Sequence, residues 1–582
     1  MEENAVRFFH VYNDECFAGL EKNGMINSDT GFKIQHCFAV PKDKTFNIFA
    51  AEGSRLFSLI KNGNIPFYVD RIAGGITWYP YDFDKTLIAK YRDMLGDRFL
   101  GFQLHESGSN RRRQDWKRLR SVGGDGPYDV ELLDKALLRP YAVDPDGKTL
   151  HGLSQESIYY YANKTYAKTH EEFIEEFREL FVRRLVDTDG CILPCDSYYL
   201  AAKLEDEAGM RSFMPEVGAQ IPLMRVAVAL SRGVALASGK TWGTYYECWS
   251  SSPEHGYTMP CFNTHPVNEW YLTQETHKDD FTTYGRNGGS SRRLQDRIYY
   301  YSLMAGAHYM SEEWGLNCSY NDMQTFELSE YGLLKKRFIN NATRFRGIRA
   351  RVPFAIVLPR RYPCVQINGE ILRGAIGTHR ETYLEAPLDE SEKRYFGHLE
   401  DIIKLFFAFD KSYEGDNEDH VMTNTRFGDV FDLVYEDASD EALSRYDYLI
   451  DASMDGDFAL SRSGAGFKII ESGDMDKLAN IIPTLIKESL DCYVDGLHWL
   501  LSTDESGKRY LSIFNNAGNR RDALTGDNIR SEATRCVNVS FKDAADLTKL
   551  VEGVDMPVDV ERVDERTYRV TVPATGFVIL GY

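Results

Sequence analysis

At 582 residues the chain is too long for one ordinary domain, and about two to four folding units are expected. Hydrophobic content of 43%, with 13% aromatic residues, excludes a disordered chain and supplies enough apolar surface for sizeable cores. A formal net charge of −20 argues against nucleic acid or an anionic membrane as partner and fits neutral or cationic ligands.

Taken in order, short apolar runs alternate with helical stretches through the first 350 residues, the pattern of β/α units. The expected strands are Arg7–Tyr12, Lys33–Val40, Pro66–Ile72, Phe99–Glu106, Cys191–Tyr199, Ser212–Gly218, Thr241–Trp249 and Ala307–Trp314. Helical periodicity follows most of them, for example in KTLIAKYRDMLGDR, HEEFIEEFRELFVRRL and RRLQDRIYYYSLMAG. Eight such strands with interleaved helices predict a (β/α)8 TIM barrel over residues 1–350. Two long insertions interrupt it, one rich in Arg, Gly and Tyr after Glu106, the other after Trp249.

After Arg351 the rhythm restarts. FAIVLP, DVFDLVYE, YDYLID and FKIIE, with helices at LEDIIKLFFAF and DKLANIIPTLIKES, predict a Rossmann-like α/β domain over 351–490. Alternating runs such as LHWLLSTDESGKRYLSIFNN and TYRVTVPATGFVILGY predict a small antiparallel β-sandwich over 491–582.

The ten cysteines show no CxxC or paired His/Cys spacing, so free buried thiols are expected, with no metal and no cofactor. MEENAVRFFH has neither a basic nor an apolar leader segment, and no long apolar run occurs anywhere. The expectation is a soluble, cytoplasmic protein without membrane or nucleic-acid partners.

In such a barrel the active site lies at the C-terminal ends of the strands. Carboxylates dominate there: Glu106, Asp196, Glu216, Glu247 and the Glu312–Glu313 pair, beside Arg71 and His105. Histidines are too few for a barrel metal cluster, and no Gly-rich phosphate loop follows the last strands. Carboxylates without metal ligands point to glycoside hydrolysis, which needs a proton donor at the leaving oxygen and an anion facing the anomeric carbon. Glu106 and Glu247 end the fourth and seventh strands, on opposite flanks of the mouth. If Arg7–Tyr12 were not a barrel strand, the count would drop by one and Glu216 with Glu313 would become the pair. Tyr246, Trp249 and Trp314 supply aromatic faces on which a sugar ring can stack, and Arg71, His105, Asp196, Glu216 and Glu313 are candidate hydroxyl contacts.

A barrel with Glu at the ends of strands four and seven resembles the clan A glycoside hydrolases. With a Rossmann-like middle domain and a C-terminal β-domain, the chain looks like family 42 β-galactosidases and related families such as the family 164 β-mannosidases. The resemblance implies that Glu106 is acid/base and Glu247 the nucleophile of a retaining exo-glycosidase. It also implies β-galactosides as first substrate, β-mannosides as second, and a trimer or other homo-oligomer through the glutamine-amidotransferase-like middle domain, while the expected cytoplasmic location suggests small oligosaccharides that have already been imported. The stretch GFQLHE departs from the family's Asn-Glu ending, because His105 stands where the Asn that touches the sugar 2-hydroxyl is usual. Two other readings stay open: an inverting glycosidase using Glu216 and Glu313, and a non-catalytic carbohydrate-binding protein on a degenerate barrel.

Overall fold

A computed structural model describes residues 7–12, 14–34, 55–63, 65–69, 85–105, 169–196, 201–219, 224–252, 256–263, 285–313, 315–360, 389–408, 418–453, 456–462 and 464–582. Its first sheet is a parallel barrel. The strands are, in order, Arg7–Tyr12, Thr30–Ile34, Phe67–Val69, Phe99–His105, Ile192–Cys195, a sixth in two pieces (Ser212–Phe213 and Glu216–Gly218), Thr241–Glu247 and Tyr309–Glu312. The first strand pairs with both the second and the last, so Arg7–Tyr12 is a barrel strand and the count stands. The sixth strand is split because Pro215 has no N–H to give a ladder. Between the fifth and sixth strands the described residues close the barrel through a single parallel bridge, Asp196 to Pro215, with Glu216 N donating to Asp196 O at 3.1 Å.

The second strand differs from its expected span. The ladder with the first strand runs from Phe8 opposite Thr30 to Tyr12 opposite Ile34, so the strand starts as soon as the Asn27–Asp29 turn ends. Residues 35–40, expected to continue it, lie outside the described set.

Among the described residues a principal helix follows each strand: Asp14–Lys22, Arg55–Gly63, Lys85–Leu95, His170–Asp187, Ala202–Glu207, Met224–Ser238, Arg292–Met304 and, after a short Gly315–Ser319 turn of helix, Glu330–Ala342. The sixth, Met224–Ser238, is apolar nearly all round, and its residues are buried from Met224 to Ala235. A surface helix would show a polar face, so this one is covered on two sides. Its outer cover is a four-stranded parallel sheet ordered Phe431–Tyr435, Phe354–Leu358, Tyr448–Asp451, Ile469–Glu471. Gly233 makes the approach possible, because a Cβ there would stand 2.2 Å from the Leu433 carbonyl oxygen. Arg232 Nε donates to Asp432 at 2.6 Å, and Arg225 and Arg232 flank Asp429 at 3.9 and 3.8 Å. Burial alone would raise the Asp429 carboxyl, but Arg232, His498 and Arg225 outweigh it and hold it below the usual carboxylate range.

The seventh helix, Arg292–Met304, is capped by Ser291, whose hydroxyl accepts from Leu294 N at 3.0 Å. It is covered by a five-stranded antiparallel sheet that includes His498–Thr503, Arg509–Phe514 and Phe577–Gly581. Tyr300 meets Phe577 at 5.1 Å, Tyr301 meets His498 at 5.0 Å, and Arg297 donates to Thr575 O at 2.6 Å. A second, four-stranded antiparallel sheet contains Arg535–Phe541 and Thr567–Val572. Residues Arg349–Ala350 leave the barrel by pairing with Ser502–Thr503 of the five-stranded sheet before the parallel sheet begins.

Among the described residues no helix is long and apolar enough to cross a membrane. Eight cysteines are described, all as free thiols; seven are buried and Cys536 is exposed. Because the atom met at Gly233 is backbone and cannot swing away, Gly233→Ala is expected to cost about 1–3 kcal/mol of stability, the range for overpacking. A urea titration would read this as a lower midpoint with an unchanged slope.

Candidate active site

Alternation along the strands sorts the mouth residues into inward and outward sets. The barrel interior is filled by Phe9, Tyr68, Leu193, Cys195, Met214, Tyr245 and Tyr309. Tyr245 sits between Glu216 of the sixth strand and Ser311 of the eighth in the parallel registers, which places these three on one inward face. The interior also holds polar groups. Lys33 Nζ donates to Tyr245 Oη at 3.1 Å and to the Glu312 carbonyl at 2.6 Å, and Tyr68 Oη lies 2.7 Å from Ser311 Oγ.

Two residues beyond Tyr245, Glu247 takes the same inward face at the C-terminal end of the seventh strand, and it is buried. Opposite it stands Gly218. A methyl group on Gly218 would lie 2.3 Å from the Glu247 carbonyl oxygen and 3.0 Å from its Cβ, so glycine is what lets this strand end close up. On the other flank Glu313 extends the ladder, its N donating to Tyr246 O at 2.9 Å. The Trp249 indole N–H donates to Glu313 Oε2 at 2.8 Å. Glu247, Glu313 and Trp249 therefore belong to the ends of two adjacent strands.

One layer deeper, His105 and Glu216 meet: Nδ1 lies 3.2 Å from Oε1, and both side chains are at most 1% exposed. Cys195 Sγ donates to the same carboxylate oxygen at 3.7 Å. The Tyr245 ring meets the His105 ring edge-on, with centroids 5.6 Å apart. Glu216 is thus part of the barrel's interior packing, beneath Glu247.

The other expected contacts fall elsewhere. Tyr246 points outward, its ring 5.6 Å from Tyr299 on the seventh helix and its hydroxyl bonded to Ser290 Oγ, because it alternates with inward Tyr245. Glu312 also points outward, accepting from Tyr299 Oη at 2.7 Å and from Lys335 Nζ. Asp196, next after inward Cys195, lies near Glu205 of the fifth helix. Burial first, and the Asp196 charge second, push the Glu205 carboxyl well above its usual range. Glu106, Arg71 and Trp314 lie outside the described residues.

Sequence reasoning passed over Lys33, Cys195, Tyr245 and Gly218. The alternation of Gly243, Tyr245 and Glu247 in TWGTYYE carries the signal for the inward face. Nothing in the local sequence announces that Lys33 is buried.

No family model and no curated protein matches the chain. Among solved structures it is similar to α-L-fucosidase isoenzyme 2 from Paenibacillus thiaminolyticus, with a TM-score of 0.44 at 10% identity, over 100% of this chain and 99% of that one. It is also similar to the catalytic module of a family 98 glycoside hydrolase from Streptococcus pneumoniae TIGR4, with a TM-score of 0.37 at 8% identity, over 100% and 98% of the two chains. Overlaps this loose assign neither fold nor activity, and the barrel rests on its own strand register.

Since the folded state holds a proton on Glu205 that the unfolded state releases above about pH 4.5, stability is lost as pH rises above that value. Glu205→Gln mimics the protonated form. The variant is expected to unfold at higher urea than the parent at pH 8, with the gap closing toward pH 4.5. A gap independent of pH would rule this out.

Proposed function

We propose that the protein is a glycoside hydrolase whose reaction runs at the C-terminal mouth of the barrel, with Glu247 as nucleophile and Glu106 as acid/base. The observation that carries the reading is the placement of Glu247: inward on the seventh strand, at the mouth, above a fully packed interior. A carboxylate buried at that level can face a bound anomeric carbon while the layer below excludes water from beneath it.

In the proposed double displacement, Glu247 attacks the anomeric carbon while Glu106 protonates the leaving oxygen. Glu106 then takes a proton from the water that releases the sugar. The Glu313–Trp249 pair beside the nucleophile offers a fixed carboxylate for a sugar hydroxyl and an aromatic neighbour. Exo-cleavage of β-linked sugars, β-galactosides first and β-mannosides second, follows from the sequence resemblance, as does assembly into a homo-oligomer.

Glu216 and Glu313 serve less well as the reacting pair. Glu216 is fully buried against His105 and Cys195, a layer below the mouth, and Glu313 already receives the Trp249 indole.

Release of nitrophenol from a panel of aryl α- and β-glycosides tests the assignment. One β-glycoside is expected to turn over. Glu247→Ala should lower kcat by at least about 10³-fold, as removal of a nucleophile does, and Glu106→Ala by about 10²–10⁴-fold on poor leaving groups, with azide restoring part of both rates. Retention of most of the wild-type rate by both variants would transfer the reaction to other carboxylates. Sugar binding without any turnover would favour the non-catalytic reading.

A further inference from the structure

We propose that His105, Cys195 and Glu216 form a zinc-type cation site that ties the barrel together at the seam most thinly paired among the described residues. The three side chains come from the fourth, fifth and sixth strands, and their nitrogen, sulfur and oxygen donors all lie within 4.8 Å of one another. His105 stands directly opposite Cys195 in the parallel register, both facing inward. Glu216 reaches them from across the seam, where the described residues pair only through the Asp196–Pro215 bridge.

The spacings suit a tetrahedral metal. Zinc bound at its usual distances to imidazole nitrogen, thiolate and carboxylate oxygen separates nitrogen from oxygen by about 3.3 Å and sulfur from oxygen by about 3.5 Å. The observed separations are 3.2 Å for His105 Nδ1 to Glu216 Oε1 and 3.7 Å for Cys195 Sγ to the same oxygen. The donor set selects the class of ion: a thiolate with an imidazole suits zinc and its borderline neighbours, whereas magnesium and calcium take oxygen ligands.

Charge balance also fits. Binding releases the Cys195 thiol proton to solvent, and thiolate plus carboxylate then offset the dication in a buried site. Lys33, the ammonium in the same interior, is held by Tyr245 Oη and the Glu312 carbonyl. One corner of the tetrahedron is left for a water molecule. The site lies below Glu247, so the ion holds strand ends in place and is not assigned a step in glycoside cleavage. This inference stands whether or not the chain cleaves glycosides.

Because the donors are at most 1% exposed, the ion enters as the chain folds. The full-length protein should therefore be expressed in cobalt-supplemented and, separately, zinc-supplemented minimal medium. The expected result is about one metal per chain by inductively coupled plasma mass spectrometry and, with cobalt, a thiolate-to-metal absorption band in the near ultraviolet. Cys195→Ser should abolish the band, and Cys536→Ser, at an exposed thiol, should leave it intact. His105→Asn should give up its metal to a chelator at concentrations at least about tenfold lower than the parent requires. Should Cys195→Ser fail to fold, the wild type still decides: well under one metal per chain, or no band, overturns the proposal. A band that survives in folded Cys195→Ser overturns it equally.

Discussion

The register of the seventh barrel strand is the constraint on which the site depends. Tyr245 is fixed between Glu216 and Ser311 by parallel ladders on both sides, and its ring fills the barrel. With side chains alternating every residue, that one placement sends Glu247 inward and Tyr246 outward. A slip by one residue would exchange them, putting an aromatic ring at the mouth and a carboxylate among the tyrosines of the seventh helix. The packing of Tyr246 against Tyr299 and the close approach of Gly218 to Glu247 both oppose such a slip.

That register is held from outside as well as inside. The helices that flank the seventh strand in sequence, Met224–Ser238 and Arg292–Met304, are both covered by the later parts of the chain. Gly233 and the Arg232–Asp432 pair press one against the parallel sheet, and Tyr300, Tyr301 and Arg297 bind the other to the antiparallel sheet. Breaking a buried pair of this kind leaves an uncompensated charge and costs about 3–5 kcal/mol. The later sheets thus act on the mouth at a distance, by fixing the helices against which strand seven packs.

Much of this was legible in the sequence, because the barrel strands are fully buried and read as continuous apolar runs. RFFHVY, FLGFQLH and TWGTYYE are found as strands essentially where the runs lie. FAIVLP, DVFDLVYE and YDYLID likewise contain parallel strands. The second strand starts three residues before its expected first residue, Lys33, because Thr30, Gly31 and Phe32 join a ladder that only tertiary structure reveals. Within the site, Glu247 could be found from its strand end alone. Tyr246 could not be separated from Tyr245 without the register. The His105–Cys195–Glu216 cluster was invisible for a different reason. Its members are far apart in sequence and meet only when three strands close the barrel, whereas metal sites read from sequence rely on donors a few residues apart.

The central claim is that the inward carboxylate of strand seven attacks the sugar. It is tested most directly by trapping: the protein is incubated with an activated 2-deoxy-2-fluoro glycoside of whichever sugar turns over, digested, and analysed by fragmentation mass spectrometry. A covalent sugar on Glu247, formed as activity is lost, is the result the account predicts. A label on Glu216 or Glu313, or steady turnover with inversion at the anomeric carbon and no label, would contradict it.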